Sequence, residues 1–363
     1  MSGPGSRVAG WDLLRGLCAL TVACYHLSYW LGIGHWPALG TYGVYLFFVL
    51  SGASLAYTYE PARLRGRRDV LGFLVVRWFR LAPLYLVLCV VFVLMLGARA
   101  GVPVDRLVLR FALNATFAFG LHDPATWALL VGGWSLGIEF VLYLAFPWLL
   151  RLAGHAAGRW AVLAALAMLQ WWWIRSTLGA LGWADGNVAY HQAPAFAGYF
   201  FAGCVIGAAR RGSGPRLPLE AGVLAWALLA VLLAVFMPSQ AGDELLGLAG
   251  IVLPCACVAV VWVSGLVDLR GLAVRFAAIA GDITYGTYLL HPMLLFGFAW
   301  FVLPLESLSA AGRALLFAAV LAGSCSLAWG SERWFEWPIR RRARRLLRPG
   351  AREPQSEAAS ISS

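Results

Sequence analysis

The stretch WDLLRGLCALTVACYHLSYWL, Trp11–Leu31, decides the fold class. It is an apolar run long enough to cross a bilayer, which takes about 20 residues in a helix. Arg15 and His26 break its apolar character, eleven positions apart. An ionisable side chain within a membrane span is costly, so it faces the interior of a helix bundle and marks function by default. At about 3.6 residues per turn, eleven residues make close to three full turns. Arg15 and His26 therefore share one helix face, about 16 Å apart along the axis.

The rest of the chain has the same character. Of its 363 residues, 61% are hydrophobic and 12% charged, with mean hydropathy +0.76. Soluble domains carry about a quarter charged residues, so a water-soluble globular protein is excluded. An all-α polytopic membrane protein is expected. All 28 basic residues are arginine, and the net charge is +11. The arginines cluster between apolar runs instead of forming a surface for nucleic acid, which is the pattern of cytoplasmic loops. The seven cysteines lie almost all inside apolar runs, and their spacing indicates neither a metal site nor a disulfide framework. The first apolar run is too long for a cleaved signal peptide and reads as an uncleaved helix.

Ten spans are expected, at about 11–31, 41–59, 73–97, 130–150, 160–179, 193–209, 219–236, 245–264, 281–303 and 312–332. The segment 104–126 is too polar to span and reads as an amphipathic or re-entrant piece. Only Arg99, Arg106, Arg110, Arg175 and Arg313, 5 of 28 arginines, fall on the side opposite the N-terminus. By the positive-inside rule both termini are cytoplasmic and the number of spans is even. Residues 1–345 read as one transmembrane domain, and the polar, Ser-rich 346–363 as a disordered cytoplasmic tail.

Three further stretches carry polar residues where lipid is expected. In GGWSLGIEFVLYLAFP (132–147), Ser135, Glu139 and Tyr143 recur every four residues and form one polar face. Counted from the span's end, Glu139 sits at a depth comparable to His26. A carboxylate there could orient the imidazole and stabilise its protonated form, or it could tie two helices together. In VRWFRLAPLYL (76–86), Arg77 and Arg80 lie one turn apart at a cytoplasmic helix start. Their forked donors suit phosphates, although positive-inside charge alone also accounts for them. In GDITYGTYLLHPMLL (281–295), Tyr288 and His291 form a weaker stripe beside Pro292.

Taken in order, these segments resemble the acyltransferase-3 family of membrane O-acyltransferases. The match runs from WDLLRGLCALTVACYH through GTYGVYLFFVLSG, RWFRLAPLY, GGWSLGIEFVLY and ITYGTYLLHPMLL to FEWPIRR, about residues 10–340. The resemblance implies acylation of sugars in polysaccharides, glycolipids or antibiotics at the inner (cytoplasmic) membrane of bacteria. It places the family's first-helix arginine and histidine on Arg15 and His26, and its arginine pair on Arg77 and Arg80. Its Trp-Ser-Leu-x-x-Glu motif falls on Trp134, Ser135, Leu136 and Glu139, its late histidine on His291, and its final Glu-x-Pro on Glu336 and Pro338. Where many members carry an acidic residue, this chain has Tyr45.

The expected reaction moves an acyl group, acetyl above all, from cytoplasmic acyl-CoA to a hydroxyl of a sugar, glycan or glycolipid. His26 would act as base with Glu139 as partner. Arg15, Arg77 and Arg80 would bind the donor, supported by Trp134, Ser135, Tyr45, Tyr143, Tyr288 and His291. Acyl-CoA enters as co-substrate, and no bound cofactor or metal is called for. On the residues alone, a transporter or flippase of a polar lipid-linked sugar or small metabolite fits as well. Against it, the polar motifs do not recur between the two halves as they do in many transporters.

Overall fold

The computed structural model describes residues 7–100, 104–211, 216–238 and 240–347. The described residues are helical, and in place of a sheet there is an isolated bridge between Leu217 and Val267. In chain order the helices are α1 (Ala9–Trp30), α2 (Pro37–Thr58), α3 (Arg67–Ala100), α4 (Val104–Thr116) and α5 (Pro124–Trp127). There follow α6 (Gly133–Gly154), α7 (Gly158–Ile174), α8 (Ala180–Tyr190), α9 (Ala197–Arg210) and α10 (Leu219–Val235). The last are α11 (Ala249–Leu266), α12 (Leu272–Phe301), α13 (Ala310–Ser331) and α14 (Trp337–Leu347). The tail expected from 346 lies outside the described residues from 348 onward.

Five helices are long and apolar enough to cross a membrane: Pro37–Thr58, Arg67–Leu96, Gly133–Gly154, Ala249–Leu266 and the run Ala310–Leu346. They coincide with five of the ten expected spans. The other five expected spans also fall on helices, but these are shorter or more polar. Helix α9 has 14 residues and α10 has 17. Helices α1 and α12 are long enough, yet each carries ionisable residues: Asp12, Arg15 and His26 on α1, and Arg275, Asp282 and His291 on α12. Helix α3 begins at Arg67, so Arg77 and Arg80 sit well inside it and not at its start.

Helix α2 is the centre of the bundle: 72% of its apolar window is buried, against 22% for Ala310–Leu346. Its Tyr42, Tyr45, Phe48 and Val49 are fully or almost fully buried. Small residues allow its neighbours to approach, as in membrane helix pairs generally. A Cβ at Gly203 or Gly207 of α9 would collide with the backbone carbonyl of Val49 or Ala53. A Cβ at Gly16 of α1 would likewise meet Ala280 of α12. Helices α1 and α12 run parallel from there, bringing residue 26 level with residue 291. On the outer faces, Met168, Trp171, Trp172, Val223, Leu224 and Leu315 are exposed, as expected of side chains that meet lipid.

Segment 104–126 forms α4 and two short turns that fold back on α3 and α6. Its anchor is Asn114, which is fully buried. Asn114 Oδ1 accepts from the Tyr85 hydroxyl at 2.5 Å and from the Leu129 N–H at 3.0 Å. Its amide donates to the carbonyls of Arg110 and Trp127 at 2.7 and 2.8 Å. Every hydrogen-bonding group of the side chain is thereby occupied.

Candidate active site

His26 Nδ1 lies 2.9 Å from His291 Nε2, with the two rings stacked at 5.2 Å. His291 is buried and its Nδ1 lies 3.0 Å from the Thr287 carbonyl oxygen, one turn back on α12. A carbonyl can only accept, so this nitrogen carries the proton. In neutral His291, Nε2 is then the acceptor, and His26 Nδ1–H donates to it. The remaining nitrogen of His26, Nε2, is left with its lone pair. One backbone carbonyl thus fixes the tautomer of both rings. His26 is half-buried and stacks on Trp30 at 4.7 Å, so α1 supplies both this imidazole and the wall beside it.

Glu139 is not brought to His26. Its Oε1 accepts from Ser51 Oγ at 2.6 Å and from the Tyr143 hydroxyl. Its level follows from its neighbours. Ser135 Oγ meets the Tyr288 hydroxyl at 3.0 Å; Glu139 lies one turn from Ser135 in one direction, and His291 one turn from Tyr288 in the other. By helical rise the carboxylate and the histidine pair are about 10 Å apart along the bundle, which corrects the common depth expected from the sequence. Tyr45 does not reach His26 either. It is fully buried, its hydroxyl pairs with that of Tyr190 at 2.6 Å, and its ring packs on Tyr199 at 4.1 Å.

Ser135 and Tyr288 form a brace between α6 and α12. Both hydroxyls lie within hydrogen-bond distance of the Gly132 carbonyl oxygen, at 2.8 and 3.0 Å. Gly132 itself has φ 76°, and a Cβ there would strike the Tyr288 hydroxyl, so only glycine fits. Trp134 turns elsewhere and packs on His191 at 4.2 Å and Phe196 at 5.4 Å. His191, in the connection between α8 and α9, has a buried Nδ1 without a hydrogen-bond partner. Burial pushes its pKa down to about 4, so the ring is neutral at physiological pH. Burial likewise raises the pKa of Glu244, between α10 and α11, although Thr41 Oγ1 and the Gly242 N–H donate to its carboxyl at 2.6 and 2.8 Å.

The arginines gather at the opposite end. Arg15 donates to Asp12 Oδ1 at 2.9 Å, to the Leu50 carbonyl at 3.2 Å and to Ser54 Oγ, which ties α1 to α2. Arg7 bridges Asp12 and Asp282 at 2.8 Å each, tying α1 to α12. The Arg77 guanidinium lies over the Tyr59 and Phe73 rings at 5.9 and 6.0 Å. Arg80 lies over Tyr285 at 5.3 Å, with Nη1 3.7 Å from Glu336 Oε2. Tyr285 precedes His291 by six residues on α12, so the Arg80 level and the histidine pair are separated by about 9 Å.

The sequence reading missed Ser51, Tyr190, His191 and Arg340. Arg340 was visible in principle: Glu336, Arg340 and Arg344 recur at intervals of four and make one helix stripe. The other three carry no local signal, because their roles come from contacts between distant helices.

A family described as an acyltransferase domain matches residues 8–330. The exopolysaccharide production protein ExoZ of Rhizobium meliloti (strain 1021) is 28% identical over 327 residues, covering 86% of this chain and 93% of that one. No solved structure matches.

Proposed function

Since the chain belongs to the acyltransferase-3 family, we propose that this membrane O-acyltransferase carries an acyl group, acetyl above all, from cytoplasmic acyl-CoA to a sugar hydroxyl. By likeness to ExoZ, the acceptor class is an exopolysaccharide or its lipid-linked precursor. The reading rests on one observation, the His26–His291 pair with its tautomers fixed by the Thr287 carbonyl. The family assignment favours transfer over the transport reading.

In this mechanism His26 Nε2 takes the proton of the acceptor hydroxyl as its oxygen attacks the thioester carbonyl. The tetrahedral oxyanion collapses, the C–S bond breaks, and the CoA thiolate leaves with the proton from His26 Nε2. During the protonated interval His26 Nδ1–H continues to donate to His291 Nε2, so the ring keeps its orientation. Glu139 plays no part in that proton transfer; it orders Ser51 and Tyr143 at the level of Arg80. Arg77 and Arg80 receive the donor phosphates, with both termini in the cytoplasm. The pantetheine arm spans the 9 to 16 Å, by helical rise, from the arginine levels to His26.

The test is acyl transfer from labelled acetyl-CoA to extracted glycan in membranes holding wild type or His26→Ala at matched expression. Loss of about a thousandfold in turnover is expected. Unchanged turnover in the variant would overturn the assignment of the base.

A further inference from the structure

The last helix, outside the ten expected spans, packs on α3 and lines a cleft there. Val76, Arg77, Phe79 and Arg80 of α3 form one wall, and Arg340, Ala343 and Arg344 of α14 the other. Four guanidinium groups thus line one narrow cleft. Three of them hold buried nitrogens without a hydrogen-bond partner: Arg77 Nε, Arg80 Nη1 and Arg340 Nη1.

Among the described residues, the carboxylates in ion pairs with this cluster are those of Glu332 and Glu336. Arg340 Nη2 pairs closely with Glu332. Glu336 Oε2 lies 3.7 Å from Arg80 Nη1 and 3.8 Å from Arg340 Nη1, both beyond hydrogen-bond distance. Glu336 Oε1 is engaged by Ser331 Oγ at 3.0 Å, and Oε2 is itself without a hydrogen-bond partner. One carboxylate facing two arginines at that range leaves the cluster with excess positive charge and open donors. Forked, buried donors of this kind match the oxygens of a phosphate.

From this geometry we infer that Arg340 and Arg344 of α14 complete, with Arg77 and Arg80 of α3, one site for a phosphate-bearing ligand. The inference rests on the donor reading above for the identity of that ligand, the phosphates of CoA. Helix α14 is then a wall of the donor site, and Glu336 holds Arg80 and Arg340 in place between turnovers. Anionic lipid headgroups offer the same chemistry, so the test includes them.

The experiment uses the full chain in nanodiscs of zwitterionic phosphatidylcholine, titrated with CoA by calorimetry. Arg344 is exposed and at the cleft's rim, so Arg344→Ala leaves the fold intact. It is expected to weaken CoA binding about fivefold, with Arg344→Lys recovering part of the loss, since a point charge replaces a fork. Unchanged affinity in Arg344→Ala beside a clear loss in Arg77→Ala would keep the donor reading and overturn the part given to α14. A wild type that ignores CoA but retains phosphatidylglycerol in native mass spectrometry, and releases it in Arg344→Ala, would uphold the phosphate site and overturn the donor reading. Binding of neither ligand would overturn both.

Discussion

His26 on α1 takes its orientation from His291 on α12, through a Nδ1···Nε2 contact of 2.9 Å that joins residues 265 positions apart. Because Thr287 fixes the proton on His291 Nδ1, His291 acts only through its neighbour in the proposed mechanism. We therefore expect His291→Phe to lower kcat about 10- to 100-fold while leaving the KM for the acyl donor unchanged. His291→Gln, whose side-chain carbonyl can accept from His26 Nδ1–H, should recover much of the rate. Steady-state kinetics of the three proteins decides it: equal losses in both variants would mean that His291 matters for packing alone.

This pair also shows where the sequence stops being legible. The individual polar positions could be read, because an ionisable residue in an apolar run is conspicuous and helical spacing assigns it a face. Arg15 with His26, Ser135 with Glu139 and Tyr143, and Tyr288 with His291 were all visible in that way. What spacing cannot supply is which helix stands opposite. Glu139 is matched to His26 by depth and Tyr45 enters only through the resemblance, whereas the structure gives Glu139 to Ser51 and Tyr45 to Tyr190. Those partners are set by how α6 and the end of α8 pack against α2, a property of the assembled bundle. The span count met the same limit. Length and apolarity single out five helices, and the ten expected spans go beyond them.

Glu139 offers a sharper test of the revised site. Its carboxylate sits about 10 Å from the histidine pair along the bundle, so it does not set the basicity of His26. Glu139→Gln keeps an acceptor for Ser51 and Tyr143 but loses the charge. The pH profile of kcat is expected to keep its histidine limb where it is in wild type. Displacement of that limb to lower pH would show that the carboxylate acts on His26 after all. Glu139→Leu strips both hydroxyls of their acceptor, and a loss of about 1–3 kcal/mol in stability is expected from thermal unfolding in detergent.

Asn114 should matter to the fold as much as the histidines matter to the chemistry. Replacing it with Ala leaves the Tyr85 hydroxyl, the Leu129 N–H and the Trp127 carbonyl without these partners in a buried place, while the Arg110 carbonyl keeps its helical bond. Each orphaned group costs about 1 kcal/mol or more, so destabilisation near 3 kcal/mol is expected. Asn114→Asp keeps the two acceptor contacts and loses the two donations, and should fall between. Hydrogen exchange over 104–130 supplies the readout: faster exchange confined to that segment fits the anchor role, and an unchanged pattern contradicts it.

The close approach of α9 to α2 predicts a steep dependence on side-chain size. At Gly207 any Cβ would meet the Ala53 carbonyl, which is backbone and cannot turn aside. Gly207→Val must therefore push the two helices apart, opening the packing around Val49 and Ala53, which are fully buried. Overpacking of this kind typically costs about 1–3 kcal/mol, and here it strikes the central helix of the bundle. Gly72 on α3 is the matched control, because a Cβ there meets nothing within 4 Å. Gly72→Ala should be neutral or slightly stabilising, since Ala exceeds Gly in helix propensity by up to about 1 kcal/mol. Thermal unfolding of both variants in the same detergent checks the pair. A Gly207→Val protein as stable as wild type would mean that α2 and α9 are farther apart than their glycines require.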